Sequence, residues 1–479
     1  MRRGVTLAGL FGRVRIALTR ADYAGPPTSR APLRVEAPTA PTLAAQAPVF
    51  VHLEEEAWRA GREQIRQQLQ ARLDEVAAQH AATARPQCCG RRMHRHDRRR
   101  VSWLTGAGRV DVWVWRYRCP VCRAEQRPLL DLLQVEAGRA SGWLARRLAL
   151  FGTIAPYALA ADLVRRLLGV EVNAMTVWRA VQRVGEAATQ HEAALSGYHA
   201  HPQTSAPEPV AAPATVVVAV DGCALGMQVR ATRRHAPGPD APPLAPVEDG
   251  HFREVKTGVL LQPAERVEPS PGRRSVGRRV LVTCLGEADV LFDRVWAAVR
   301  ERGWLGAQTM VVVIGDGSEW IWHRAARFVR RCEILDFWHA MEYAWAYARL
   351  QFGEGSQRAE QWTRRIAREL KAGEVEAVLA RLHTLHPRDA ESRAALDALV
   401  RYYTTHAARM QYDEYQRLGY GIGSGAVESA HKQVVHARLR QAGMRWSAGG
   451  ASRLLALRLY LLNGEWGETD RLRLARLAA

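Results

Sequence analysis

The sequence predicts a mixed α/β core interrupted by a helical insertion and preceded by a small β module and a helical region. Three observations carry this. Between residues 215 and 335 the apolar residues gather in short runs of β type, of which TVVVAV and MVVVI are the clearest. Residues 340–418 then read as almost wholly helical. Upstream, Val110, Val112 and Val114 alternate with Asp111, Trp113 and Trp115 inside a Cys- and Arg-rich stretch, which is strand periodicity. At about 150 residues per domain, 479 residues suggest roughly three domains.

Taken in order, residues 1–51 are rich in Ala, Pro, Thr and Arg and read as a disordered leader. Residues 52–84 hold strong helix formers and no Gly or Pro between Gly61 and Arg85, so an N-terminal helix is expected. The Cys/Arg module covers 85–130. Residues 131–197 are helical, and within them LLGVEVNAMTVWRAVQRVG reads as a helix-turn-helix: Gly169 breaks a first helix, Asn173 can cap a second, and Thr176 opens it. In that arrangement Thr176, Arg179 and Arg183 face outward and Val177 faces the core. The Pro/Ala stretch 198–214 is a linker. The core's first part, 215–339, carries strands at Thr215–Val220, Glu254–Leu261, Arg279–Leu285, Met310–Ile314 and Cys332–Leu335, with a helix at Val290–Arg302. After the insertion, a Gly-rich turn opens the last helical stretch (419–466), and 467–479 form a tail.

Charge narrows the function. Lys and Arg number 68 against 48 Asp and Glu, a formal net charge of +20; three of the 68 are lysines (Lys256, Lys371, Lys432) and 65 are arginines. GC-rich coding accounts for Arg over Lys but not for the excess over acids, which favours a polyanionic partner such as nucleic acid. No apolar run reaches the ~18 residues that a membrane span needs. The N-terminal apolar run is broken by Arg13 and Arg15, which disfavours a signal peptide. Seven cysteines with a Cys119-x-x-Cys122 pair fit metal binding in a reducing cytoplasm better than a disulfide framework.

Two of the strands run into the same dipeptide, Asp221-Gly222 and Asp316-Gly317. An aspartate at the end of a buried strand stands where neighbouring strands converge, and two on adjacent strands can share a hard divalent cation. Asp-Gly is also an ordinary turn signal. A third carboxylate weighs against that: Glu428 lies in the first turn of the helix after the Gly-rich turn, with Lys432 one turn on along the same face. Three such carboxylates would hold two metal ions about 4 Å apart for in-line phosphoryl displacement. Glu428 also favours a helix N-terminus electrostatically, whatever its chemistry.

The blocks VDG, IGDGSEWIW, EILDFWHA and GIGSGAVES…RLRQAGMRWS, within residues 85–466, resemble bacterial insertion-sequence transposases of the DDE class, in particular the insertion-sequence Kra family and, more loosely, the Mutator-like group. The resemblance implies an RNase H-like catalytic core with Asp221, Asp316 and Glu428 as the Mg²⁺- or Mn²⁺-binding triad, two ions per site. Their spacings of 95 and 112 residues fit a helical insertion before the Glu helix. It also matches Asp336-Phe-Trp-His339 to that group's Asp-x-x-His element, making His339 a candidate for phosphate or base contact. Trp338 reads as packing, as do Trp320 and Trp322 beside His323.

In the module, Cys119 and Cys122 make half of a zinc ribbon, and a structural zinc needs four ligands. The family's usual first knuckle is Cys-x-x-Cys ending in Cys-Gly; here Cys88-Cys89-Gly90 stands in its place, with His94 and His96 downstream. Adjacent cysteines do not easily make that knuckle, so either the site uses Cys89 with a histidine such as His94, or it is degenerate, or zinc is lost; Cys88 stands among the candidate ligands as well. Six arginines (Arg91, Arg92, Arg95, Arg98, Arg99 and Arg100) read as a phosphate-contacting patch. Lys432, Arg438 and Arg440 would hold the backbone near the triad.

The expectation is a cytoplasmic DNA transposase, nucleoid-associated, that binds the terminal inverted repeats and target DNA as a homodimer or higher multimer. Its rivals are an RNase H-like nuclease or resolvase, and a non-catalytic zinc-ribbon/helix-turn-helix regulator.

Overall fold

A computed structural model describes residues 49–133, 140–200, 212–228, 251–265, 267–270, 273–275 and 277–472. The expected disordered leader falls almost wholly outside the described residues, as do most of the linker and the end of the tail. The chain divides into two compact units, residues 1–60 and 61–479. In the first, residues 50–60 are helical.

The elements of the N-terminal half are α1 (Val49–Thr83), β1 (Gln87–Cys88), β2 (Arg91–Arg92), β3 (His94–Thr105), β4 (Gly108–Arg118), β5 (Glu125–Gln126), α2 (Pro128–Leu132), α3 (Gly142–Ile154), α4 (Tyr157–Leu168) and α5 (Ala174–Ala200). β3, β4 and β5 form an antiparallel sheet. Its Val-rich face is closed by α1: Leu69, Leu73, Val76 and Ala77 pack on Trp103, Val110, Val112 and Val114. Gln70 fixes this packing, donating to the Asp111 carbonyl at 2.7 Å and accepting from its N–H at 2.9 Å. Gly169 ends α4 in the left-handed region (φ 63°), and Asn173 Oδ1 accepts from the Thr176 N–H at 2.9 Å where α5 begins.

The core follows as β6 (Thr215–Gly226), β7 (Phe252–Leu261), β8 (Val267–Ser270), β9 (Arg273–Ser275), β10 (Arg279–Leu285), α6 (Ala288–Glu301), β11 (Met310–Gly315), α7 (Glu319–Ala325) and β12 (Arg331–Leu335). Five strands form one sheet in the order β10-β7-β6-β11-β12. β10, β7 and β6 are antiparallel, whereas β6, β11 and β12 are parallel. The helical insertion is α8 (Phe337–Phe352), α9 (Gln357–Lys371), α10 (Val375–Leu382), α11 (Ala390–His406) and α12 (Tyr412–Arg417). Last come α13 (Gly425–His431), a π-helical turn (Lys432–His436), α14 (Ala437–Leu439) and α15 (Ala448–Leu462).

One strand differs from expectation. β6 does not stop at Asp221 but runs on to Gly226, because β7 continues to pair with it through Gly226–Phe252. Gly222 therefore makes no turn. What ends just before Asp221, at Ala219, is the pairing on the other side, with β11. A single apolar core joins this sheet to α5: Val181, Val184 and Ala188 pack with Val217, Val259, Val295 and Leu454. No described helix is long and apolar enough to cross a membrane.

Candidate functional site

Strand register brings the two predicted aspartates together. β6 and β11 pair from Thr215–Met310 to Ala219–Ile314, an offset of 95 residues, which is the spacing of Asp221 and Asp316. Two residues beyond the last pair the two aspartates stand level on neighbouring strands, which lie about 4.8 Å apart. One residue beyond Gly315–Leu335 of the β11–β12 pairing, Asp336 stands level with Asp316. Three aspartates thus line one edge of the parallel half of the sheet.

Each has its own surroundings. Asp221 is half-buried and accepts from the Gly222 N–H at 2.7 Å. Burial pushes its carboxyl up to about 6; the Gly222 N–H and His339 oppose the rise, and the charges of Asp316 and Asp336 add to it. Asp316 accepts from the Ser318 N–H at 2.9 Å and hydroxyl at 3.1 Å, and its carbonyl accepts from Tyr402 of α11 at 2.6 Å. Gly317 (φ 94°) allows that approach: a Cβ there would lie 2.9 Å from the Tyr402 hydroxyl. Asp336 is buried and structural. It accepts from the N–H groups of Trp338 (2.6 Å) and His339 at the start of α8, and from the Ser424 N–H (2.6 Å). The Phe337 N–H also donates to the Ile422 carbonyl at 2.9 Å. These bonds tie the Gly-rich turn to α8 and so place α13.

α13 packs across β6 and β7, and the residue it sets against Asp221 is His431. This imidazole is 5% exposed, its Nδ1 lies 3.6 Å from Asp221 Oδ2, and its buried Nε2 makes no hydrogen bond. Burial, then the charges of His436 and Arg440, lower its pKa to about 4, so it is neutral at pH 7. Glu428, three residues earlier, is exposed and accepts from Lys432 Nζ at 2.7 Å. Lys432 holds the Glu428 carboxyl below its ordinary value, and His339 and His431 act in the same direction. Sequence reasoning passed over His431, although its place at i+3 from Glu428 on one helix face was a usable signal.

Other assignments change. Trp338 is 63% exposed, although its ring meets Phe337 edge-on and stands beside Gly423, where a Cβ would come within 2.9 Å of it. His339 is half-buried, its Nδ1 3.4 Å from Glu342. Trp322 is buried, His323 is exposed, and Trp320 packs edge-on against Phe292. Arg438 is fully buried and cannot meet a phosphate backbone: Nε donates to the Gly152 carbonyl at 3.0 Å, and the guanidinium lies over Tyr157 and Trp446. Arg440 is exposed, 3.0 Å from His436 Nε2. On α5, Arg179 and Trp178 are exposed, Arg183 half-buried and Val177 buried.

The second site is the cysteine cluster. Cys88, Cys89, Cys119 and Cys122 place their sulfurs within 4.8 Å of one another, and all four are free thiols. Among the described residues this is the only group of three or more His, Cys, Asp or Glu that close; Asp221, Asp316 and Glu428 do not form one. Cys88 Sγ lies 3.5 Å from Cys122 Sγ and 3.8 Å from Cys89 Sγ. A tetrahedron with Zn–S bonds of about 2.3 Å has edges of about 3.8 Å, so the cluster could hold a structural metal such as zinc. Both neighbouring cysteines take part because Cys89 and Gly90 lie in the left-handed region (φ 51° and 70°), which folds the chain back on itself. The fourth sulfur is therefore Cys88, and His94, exposed on β3, stays out. The Cys122 and Val121 N–H groups lower the Cys119 thiol to about 7, while the Cys122 thiol contributes most to raising Cys88 to about 12.

All six module arginines are exposed. Arg99 pairs with Asp97 and Arg100 with Asp111, while Arg95 donates to the Ala81 carbonyl. Compared with models of protein families and with curated proteins, the chain matches none.

Proposed function

We propose that the chain is a DNA transposase of an insertion sequence, with an RNase H-like core that cleaves and joins DNA strands. One observation carries the reading: Asp221 and Asp316 stand level on adjacent parallel strands, and the glutamate-bearing helix α13 packs on β6 and β7 beside Asp221. The strand order, three antiparallel strands continued by two parallel ones, is compatible with that core.

Asp221 and Asp316 offer the carboxylate oxygens that a hard cation prefers, although the three carboxylates do not close into one ligand set in this structure. When bound, Mg²⁺ or Mn²⁺, two ions per site, would activate the attacking oxygen and stabilise the leaving one. Asp221 and Asp316 would hold the metal. His431 is buried against Asp221, and Glu428 would complete the ligand set only by leaving Lys432 for the aspartates. The helix-turn-helix-like pair α4–α5 and the arginines of the module hold the element's ends, and Lys432 and Arg440 the backbone near the site. Two ends must react together, so a multimer on DNA is expected.

The outward Glu428–Lys432 pair favours a second reading, a non-catalytic DNA-binding regulator. The two part on one experiment. Asp221→Asn, Asp316→Asn and Glu428→Gln should each abolish Mn²⁺-dependent strand cleavage and leave end binding within about twofold. Wild-type protein that binds ends and never cleaves, with either metal, supports the regulator instead.

A further inference from the structure

The outer face of the β3–β4 hairpin carries more than phosphate binding requires. Its inner face is closed by α1; on the outer face Tyr117 and part of Trp115 are covered by Met93, Ala84 and Cys88, and the part around Trp113 stays open among the described residues. There the register stands Arg98 opposite Trp115 and Arg100 opposite Trp113. Trp113 is 48% exposed. The Arg98 guanidinium lies 5.4 Å from the centre of the Trp113 ring, and that of Arg95 lies 5.1 Å from Trp115. Residues 85–127 contain twelve arginines and three acids, so 43 residues supply +9 of the chain's +20. Asp97 and Asp111 are taken up by Arg99, Arg100 and Arg116, which leaves Arg91, Arg92 and Arg98 without a carboxylate partner among the described residues.

A cationic strand face answers phosphate. A half-exposed indole set among those cations answers something flat and apolar beside phosphate. Duplex DNA hides its base faces in the stack, whereas unpaired bases present them and stack on aromatic rings. We infer that this face binds single-stranded or unpaired DNA, with Trp113 stacking a base, Arg98 holding the adjacent phosphate, and Arg91 and Arg92 of the separate β1–β2 knuckle holding phosphates further along the strand. The inference rests on the reading that the chain binds DNA, and it names which form of DNA this face takes.

The test measures anisotropy of the full chain with a labelled oligothymidylate of about twelve nucleotides and with a duplex of mixed sequence. Trp113→Ala should weaken oligothymidylate binding about tenfold or more and change duplex binding less than twofold. Trp113→Phe should keep most of the affinity. Trp113→Leu, which keeps apolar area but cannot stack, should behave like Trp113→Ala. Replacing Arg91, Arg92 and Arg98 by Gln should flatten the salt dependence of oligothymidylate binding by about 0.7 for each phosphate no longer neutralised. Equal losses for both DNAs, or no loss for either, overturn the inference. Duplex binding without any oligothymidylate binding overturns it alone; no binding to either DNA overturns it together with the reading it rests on.

Discussion

Glu192 on α5 meets Arg294 of α6 at 2.8 Å in a nearly closed space, and burial pushes its carboxyl from 4.5 up to about 7. The folded state thus keeps this proton to about pH 7, while the unfolded chain releases it near 4.5. The stability it contributes is complete below pH 4.5 and is lost as pH rises through 7, a span of roughly 3 kcal/mol. Asp221, raised to about 6, acts in the same direction over a shorter range. Thermal midpoints from pH 4.5 to 8 should therefore fall with pH, and Glu192→Gln should flatten much of that fall; an unchanged slope in the variant would remove Glu192 as its source. Residue-scale roles were the least legible part of the sequence. Arg438 and Arg440 differ by two positions in one basic run, yet one is fully buried and the other exposed. A π-helical turn lies just before them, and its extra residue rotates the helix faces away from the 3.6-residue spacing that a reader assumes.

Elements were more legible, because alternation and turn residues are local. All five core strands lie where the apolar runs place them, and the departure at β6 has a cause that no local pattern carries: a partner strand some thirty residues on keeps pairing. The cysteine knuckle shows the opposite case. Adjacent cysteines look unsuited to a shared ligand set until the backbone turns left-handed at Cys89, a conformation that sequence does not announce for a non-glycine residue. Metal analysis of the freshly purified chain should find about one zinc. Chelation should then unfold the β1–β2 knuckle and the β4–β5 end of the module, read as loss of near-ultraviolet signal from the tryptophans, while the main thermal transition of the core stays in place. Cys88→Ser should lose the metal as fully as Cys122→Ser. Retention of zinc in the Cys88 variant would return the fourth place to a histidine.

At the scale of the molecule, side chains join the elements that lie on either side of the Pro/Ala linker in sequence. From the C-terminal stretch, Arg438 reaches the Gly152 carbonyl, Arg458 reaches the Thr153 carbonyl at 2.9 Å, Arg453 pairs with Glu186, and the Tyr460 hydroxyl lies 2.7 Å from His191. The two guanidiniums at 438 and 458 are buried among α3, α14 and α15 and behave as rivets driven through both sides of the linker. Either half alone would leave a cation or its carbonyl partners stranded in an apolar surface, at a cost of several kcal/mol per unpaired charge. A chain expressed as two pieces, 49–211 and 212–472, should co-purify as one complex, whereas 212–472 expressed alone should aggregate. A soluble, monomeric 212–472 that melts like the whole would mean that the rivets hold nothing.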